Sequence, residues 1–134
     1  MLSDSLHIRG DVSLRLIDSN TQKVRSQVHV QNLITTLGKR HFIDRIVGNT
    51  SDSLFRIQIG DGLTAPTGND TSLAGGNIFE SSVRFLNRPT DADNYLIAEA
   101  VFLDTPEDTP NFTINEVGLF TSAFDLAART VLPI

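Results

Sequence analysis

Gly60-Asp61-Gly62 sets a carboxylate between two glycines, an arrangement that in other settings holds a phosphate or a calcium ion. Neither chemistry is supported here. The Lys-Ser/Thr pair of a phosphate loop does not follow, nor do the ordered acidic positions of a helix-loop-helix calcium site, so a structural turn is the better reading. Asp91, Asp93, Glu107 and Asp108 lie in two turns that could converge on a hard cation, but solvated turn acids are the commoner case. His7, His29 and His41 are scattered without metal-ligand spacing, and each reads as a surface or edge histidine. With no cysteine there is no thiol nucleophile, disulfide or thiolate metal site. No serine sits in a G-x-S-x-G turn, and Glu80, Glu99 and Glu116 are single strand carboxylates without a paired acid. The reading is therefore of a protein that is not an enzyme, with no catalytic residues, no metal and no cofactor.

The charge of −5, from 11 Lys+Arg against 16 Asp+Glu, argues against nonspecific contact with DNA or an anionic membrane. Lys39, Arg40, His41 and Arg45 give one segment a basic side, either a solvated face or a contact for the acidic face of another subunit. No stretch has the run of about 18 apolar residues that a bilayer span needs, nor a signal-like N-terminus, so a soluble protein is expected. At 134 residues and 40% hydrophobic content, a single domain spanning 1–134 is expected.

The elements that must position these residues are mostly strands. Val12, Leu14 and Leu16 alternate with Ser13 and Arg15, and after the turn cluster Asp18 to Thr21, Val24, Val28 and Val30 alternate with polar neighbours. Residues 1–31 thus predict a hairpin. The spacing of Leu33, Leu37, Phe42, Ile46 and Val47 predicts one helix over 32–48, capped by Thr35 or Thr36 and stopped at Gly48-Asn49, with Gly38 weakening its first turn. Phe55, Ile57 and Ile59 predict a strand that Gly60 ends, followed by a long polar loop to Leu73. A loop this long without its own apolar pattern is commonly one that contacts a partner.

Further strands are expected over Glu80 to Asn87, over Tyr95 to Leu103 and at Phe112 to Phe120, with a last one at Phe124 to Ile134. Tyr95 to Leu103 is apolar on both parities and predicts a central strand or a face meeting a second subunit, with Glu99 near Arg84, another Arg or the solvent edge. A parity slip at Glu116 to Val117, beside Gly118, predicts a bulge. Glu116 is either solvent-facing or bonded to an arginine such as Arg84 or Arg129. Phe79, Phe85, Phe102, Phe120 and Phe124 are among more aromatic residues than one side of a small sandwich needs, and a symmetric contact could use the surplus. The fold class is mainly β (α+β), an antiparallel β-sandwich or flattened barrel of about seven strands with one packed helix.

Four of these pieces together resemble the N-terminal attachment domain of bacteriophage tail-collar fibre proteins and related small tail and baseplate proteins. They are Ile59-Gly60-Asp61-Gly62; Ala65-Pro66 through Asp70-Thr71-Ser72-Leu73; Glu80 with Arg84; and Asn115-Glu116-Val117-Gly118-Leu119-Phe120 with Leu126-Ala127-Ala128-Arg129. The likeness runs over residues 55–134. Residues 32–48, with NLIT and Gly38, are also similar to what precedes this region in several phage structural proteins. The resemblance implies a virion structural protein of the tail, assembled in the host cytoplasm, whose partners are itself as a homotrimer and other phage structural proteins, with no nucleic acid or membrane. The N-terminal hairpin and the lack of a repetitive shaft make it look like a connector, baseplate or decoration subunit rather than a whole fibre. A capsid decoration protein is the alternative, and a glycan-binding sandwich a further one, poorly supplied because there is no Trp and one Tyr, Tyr95. The candidate interface residues are Gly60, Asp61, Gly62, Pro66, Asp70, Leu73, Arg84, Glu116, Val117, Gly118, Leu119, Phe120 and Arg129.

Overall fold

The structure is a computed structural model that describes residues 8–86, 97–103 and 112–133. Alternating apolar residues make β1 (Gly10–Ile17) and β2 (Val24–Ile34) an antiparallel hairpin, in register from Gly10↔Asn32 to Leu16↔Ser26 and slipping before Ile17↔Val24. Asp18 shapes the turn, its Oδ1 accepting the Asn20 and Thr21 amides at 2.9 and 3.1 Å.

The helix is shorter than expected. Asn32 to Ile34 finish β2, and α1 runs Thr36–Ile46. Thr35 is the N-cap: its hydroxyl accepts the Gly38 amide at 3.0 Å and donates to the Leu126 carbonyl. Gly48, at φ +78°, ends the helix in the left-handed region as its type predicts. Gly38 has a positive role that helix propensity hides. A Cβ there would collide with the Ala127 carbonyl, so glycine is what lets the helix lie against the sheet. Gly38 and His41 are the buried residues of α1, which corrects the expectation of a surface histidine: position 41 lies one turn on from Gly38, on the sheet-facing side.

The remaining strands are β3 (Leu54–Gly60), β4 (Ile78–Ser82), β5 (Arg84–Leu86), β6 (Ile97–Glu99), β7 (Glu116–Thr121) and β8 (Leu126–Val131). Six of them form one curled antiparallel sheet, a half-barrel, in the order β1-β2-β8-β7-β3-β4, and β5 and β6 form a second small sheet. The fold is thus mainly β with one packed helix, as expected, and the described residues form eight strands.

Four local expectations are corrected. The stretch from Glu80 onward is two strands, broken where the Val83 amide turns to the Phe55 carbonyl. The apolar segment reaching Leu103 is not a central strand: β6 pairs with β5, and Val101 and Leu103 are exposed. The expected bulge is not at Glu116 in β7: the register shifts opposite Leu119 and Phe120, where Ala127 is the extra residue on β8. The last strand starts at Leu126, because Phe124 occupies the β7–β8 turn at φ +65°.

Register sorts the side chains of β7 onto two faces. Val117 pairs with Ile59 and faces the concave side, where Ile59, Val117 and Leu132 form a core flanked by the half-buried Val12, Leu14, Val28 and Val30 of the hairpin. Glu116, Gly118 and Phe120 face the other way, where Phe120 packs with Leu126 and with Leu73 from the loop. With loop and helix on one side and the core on the other, β8 is buried from Leu126 to Thr130. Full burial of Leu73 alone contributes about 1.5–3 kcal/mol.

Candidate functional site

The residues singled out in the sequence converge on the face carrying Glu116. β7 and β8 pair Gly118 with Arg129, which brings the Arg129 side chain beside Glu116. Both are enclosed, Glu116 at 0% and Arg129 at 1% exposure. A bare carboxylate buried this deeply would be costly, and the loop 61–77 supplies the compensation. Oε1 of Glu116 accepts the Gly62 amide at 3.0 Å and the Gly75 amide at 2.8 Å; Oε2 accepts the Ala74 amide at 3.0 Å and Arg129 Nε at 2.9 Å. Arg129 Nη2 also lies 2.8 Å from Oε2. One carboxylate therefore ties both arms of the loop to the sheet.

Arg129 completes the clamp by donating to Asp70 Oδ2 at 2.8 Å and to the Thr64 carbonyl at 2.7 Å. Its planar fork suits three acceptors at fixed angles, a geometry lysine does not supply. Asp70 also accepts the Thr67 amide and hydroxyl at 2.9 and 2.8 Å. The Thr67 amide first, then the Thr67 hydroxyl and Arg129, hold the Asp70 carboxyl below the usual carboxylate range against the opposing effect of burial.

At the mouth of the loop, Asp61 accepts the Asn77 side-chain amide at 2.7 Å and its backbone N–H at 3.2 Å, and the same bonds lower the Asp61 pKa. Asn115 donates to the Asp61 carbonyl at 3.1 Å. Its ends are closed and its interior is filled by Glu116 and Arg129 from the sheet, so the loop is compact and braced. Cβ atoms at Gly62 and Gly75 would collide with Glu116 and Asp61, and one at Gly118 would fall 2.7 Å from Leu73 Cδ2. Backbone atoms also crowd Gly62 and Gly75, so close approach requires glycine there, whereas at Gly118 the neighbours are the ends of packed side chains.

Of the candidate residues, Gly60, Asp61, Gly62, Asp70, Leu73, Glu116, Gly118, Phe120 and Arg129 form this unit. Val117 faces the concave core and Leu119 lies opposite Ile57 and Ala128 on the same side. Pro66 is a half-buried part of the loop. Arg84 is elsewhere, bonded to Glu99 at 2.9 Å across the β5–β6 pair, one of the partners expected for that acid. The arginine partner of Glu116 is Arg129. Sequence reading offered Thr35 as a helix cap but not its hydroxyl bond to Leu126 of β8, 91 residues away, and it missed Asn77, whose only signal was its place at the far end of a glycine-rich loop.

The arrangement is saturated. Every Glu116 oxygen has two or more donors, so the pair has neither an open coordination position nor a free lone pair for proton transfer. Among the described residues no group of three or more His, Asp or Glu side chains could hold a metal. The turns with Asp91, Asp93, Glu107 and Asp108, as well as His7 and Tyr95, lie outside the described residues. No family model, curated protein or solved structure matches this chain.

Proposed function

We propose that this chain is a building block of a tailed-bacteriophage virion, a baseplate, collar or fibre-attachment subunit of the tail that works by binding copies of itself and adjoining virion proteins, without turnover. The observation that carries the assembly reading is an imbalance of apolar surface. Among the described residues, eight hydrophobic side chains are buried, whereas fifteen large ones are exposed, including Leu16 at 61%, Ile46 at 70% and Phe124 at 56%. Scattered exposed apolar residues are ordinary, but an exposed set larger than the buried one suits a subunit whose interfaces resemble a core cut in half. The clamped loop supports the same reading, since a rigid loop presents a fixed shape to a neighbour. Placement in a phage tail rests on the likeness of residues 55–134 to fibre-attachment domains.

Light scattering on a sizing column tests self-assembly: a homotrimer is expected, and a stable monomer at micromolar concentration would sink the reading. Imaging of virions carrying a labelled subunit tests placement. Label on the tail is expected, label on the head indicates a capsid decoration protein, and label on neither removes the virion altogether.

A further inference from the structure

The exposed side of α1 is unlike an ordinary solvated helix face. At 3.6 residues per turn, Lys39, Arg40, Ile43, Ile46 and Val47 share about one third of the circumference. Ile43, Ile46 and Val47 are 60%, 70% and 60% exposed. They form a contiguous apolar strip edged by cations, on a helix whose one acid, Asp44, lies 4.0 Å from Arg40. Beside it, between the helix and the strands, Phe42, Leu54 and Phe85 line an open apolar recess of about 350 Å³ with Arg45 at its rim.

Charge decides what this surface suits. Lys39, Arg40 and Arg45 against Asp44 give the helix a net +2, which leaves −7 on the rest of a chain whose total is −5. The molecule thus carries a cationic apolar face and a remainder that is acidic in net charge and itself exposes large apolar residues, such as Leu63 beside Asp61, a carboxylate with no cation paired to it among the described residues. We infer that the exposed face of α1, with its recess, docks onto the acidic, apolar surface of a second copy of this chain. The inference rests on the self-assembly proposed above and names its surface. Contact between two unlike patches is heterologous and generates a ring when the rotation closes, as a trimer requires. An anionic membrane is the other surface that takes a basic, apolar helix. Two exposed apolar residues on an 11-residue helix, with Val47 at its C-cap, give it little to insert, and the net charge of −5 opposes approach.

The test compares the full chain with Ile43→Glu/Ile46→Glu and with the charge reversal Lys39→Glu/Arg40→Glu. All four side chains are exposed, and circular dichroism checks that each variant keeps the fold. Light scattering over a concentration series should show the wild type associating and both variants dissociating at concentrations at least about tenfold higher. Salt at about 0.5 M should weaken the wild type and leave the charge reversal little changed. A wild-type oligomer that survives in both folded variants overturns this inference while leaving self-assembly standing; a wild-type monomer overturns both. Sedimentation with phosphatidylserine vesicles at physiological salt, positive for the wild type and lost in the variants, would assign the face to a membrane and overturn docking on a second copy.

Discussion

Two regions packed on the same side of β8, the clamped loop and the helix, end in opposite ways. On the loop side, Glu116 and Arg129 are enclosed and every polar contact is made within the chain. Around α1, one helical face is held to the sheet through Thr35 and Gly38 while the opposite face leaves Ile43, Ile46 and Val47 in water. The first region is finished by its own polypeptide and the second is not. Under the assembly proposed above, the costly buried charge would fix a shape before association, and the exposed apolar strip with its charged rim would be the surface left to a partner. Buried ion pairs contribute little net stability against an apolar replacement, so their value here lies in specifying where seventeen loop residues go.

The largest expected effect breaks the finished side. Glu116→Gln keeps the shape of the side chain but points an NH2 group either at the Gly62 and Gly75 amides or at Ala74 and Arg129, setting donors against donors. A loss of about 3–5 kcal/mol is expected in urea unfolding. Hydrogen exchange should then accelerate at the Gly62, Ala74 and Gly75 amides while those of the β1–β2 hairpin stay near wild type. An equal loss of protection in the hairpin would show that the two regions are not separable as described. A double variant of Glu116→Leu with Arg129→Met should cost much less than the sum of the single ones, since it removes both charges together.

Gly38→Ala sharpens the comparison from the helix side, with an effect of about 1–3 kcal/mol. Alanine ordinarily raises helix stability by nearly 1 kcal/mol over glycine, so on an isolated helix the change would help. Here the added methyl meets the Ala127 carbonyl, a backbone atom that cannot swing aside, and α1 must lift from β8. A stabilised variant by thermal melting would mean that α1 is not seated as tightly as the structure has it.

Much of this architecture was legible because it follows from local pattern. The hairpin, the left-handed stop at Gly48 and the end of β3 at Gly60 each depend on a few neighbouring residues. The site was half legible. Glu116 and Arg129 were both candidates, but Arg84 stood equally well beside Glu116 until register paired it with Glu99. That the acceptors of one carboxylate serve Gly62, Ala74 and Gly75 depends on strand order, which no spacing along the chain encodes. The misread segments fail for identifiable reasons. Leu33 satisfied a helical repeat while also alternating with Asn32 and Ile34, and Thr35 capped the helix later than that repeat suggested. The apolar run reaching Leu103 signalled coverage on two faces, yet Val101 and Leu103 are exposed, so apolarity announced a need for contact without saying which chain meets it.

Asp70 gives the smallest effect and separates the clamp from its outer brace. Its pKa is depressed in the folded chain by Thr67 and Arg129, so its contribution is present above the unfolded value and is lost as pH falls through the folded one, from roughly pH 4 downward. Asp70→Asn should cost about 1 kcal/mol at neutral pH, because Arg129 keeps Glu116 and the Thr64 carbonyl and the lost contact is partly open to solvent. Once the pH has fallen below the folded pKa the wild type and the variant should converge in melting temperature, since protonated Asp70 resembles the amide it is replaced by. If the gap between them instead persists unchanged at low pH, Asp70 acts through its shape alone, and the charge that holds the loop resides entirely in the enclosed Glu116–Arg129 pair.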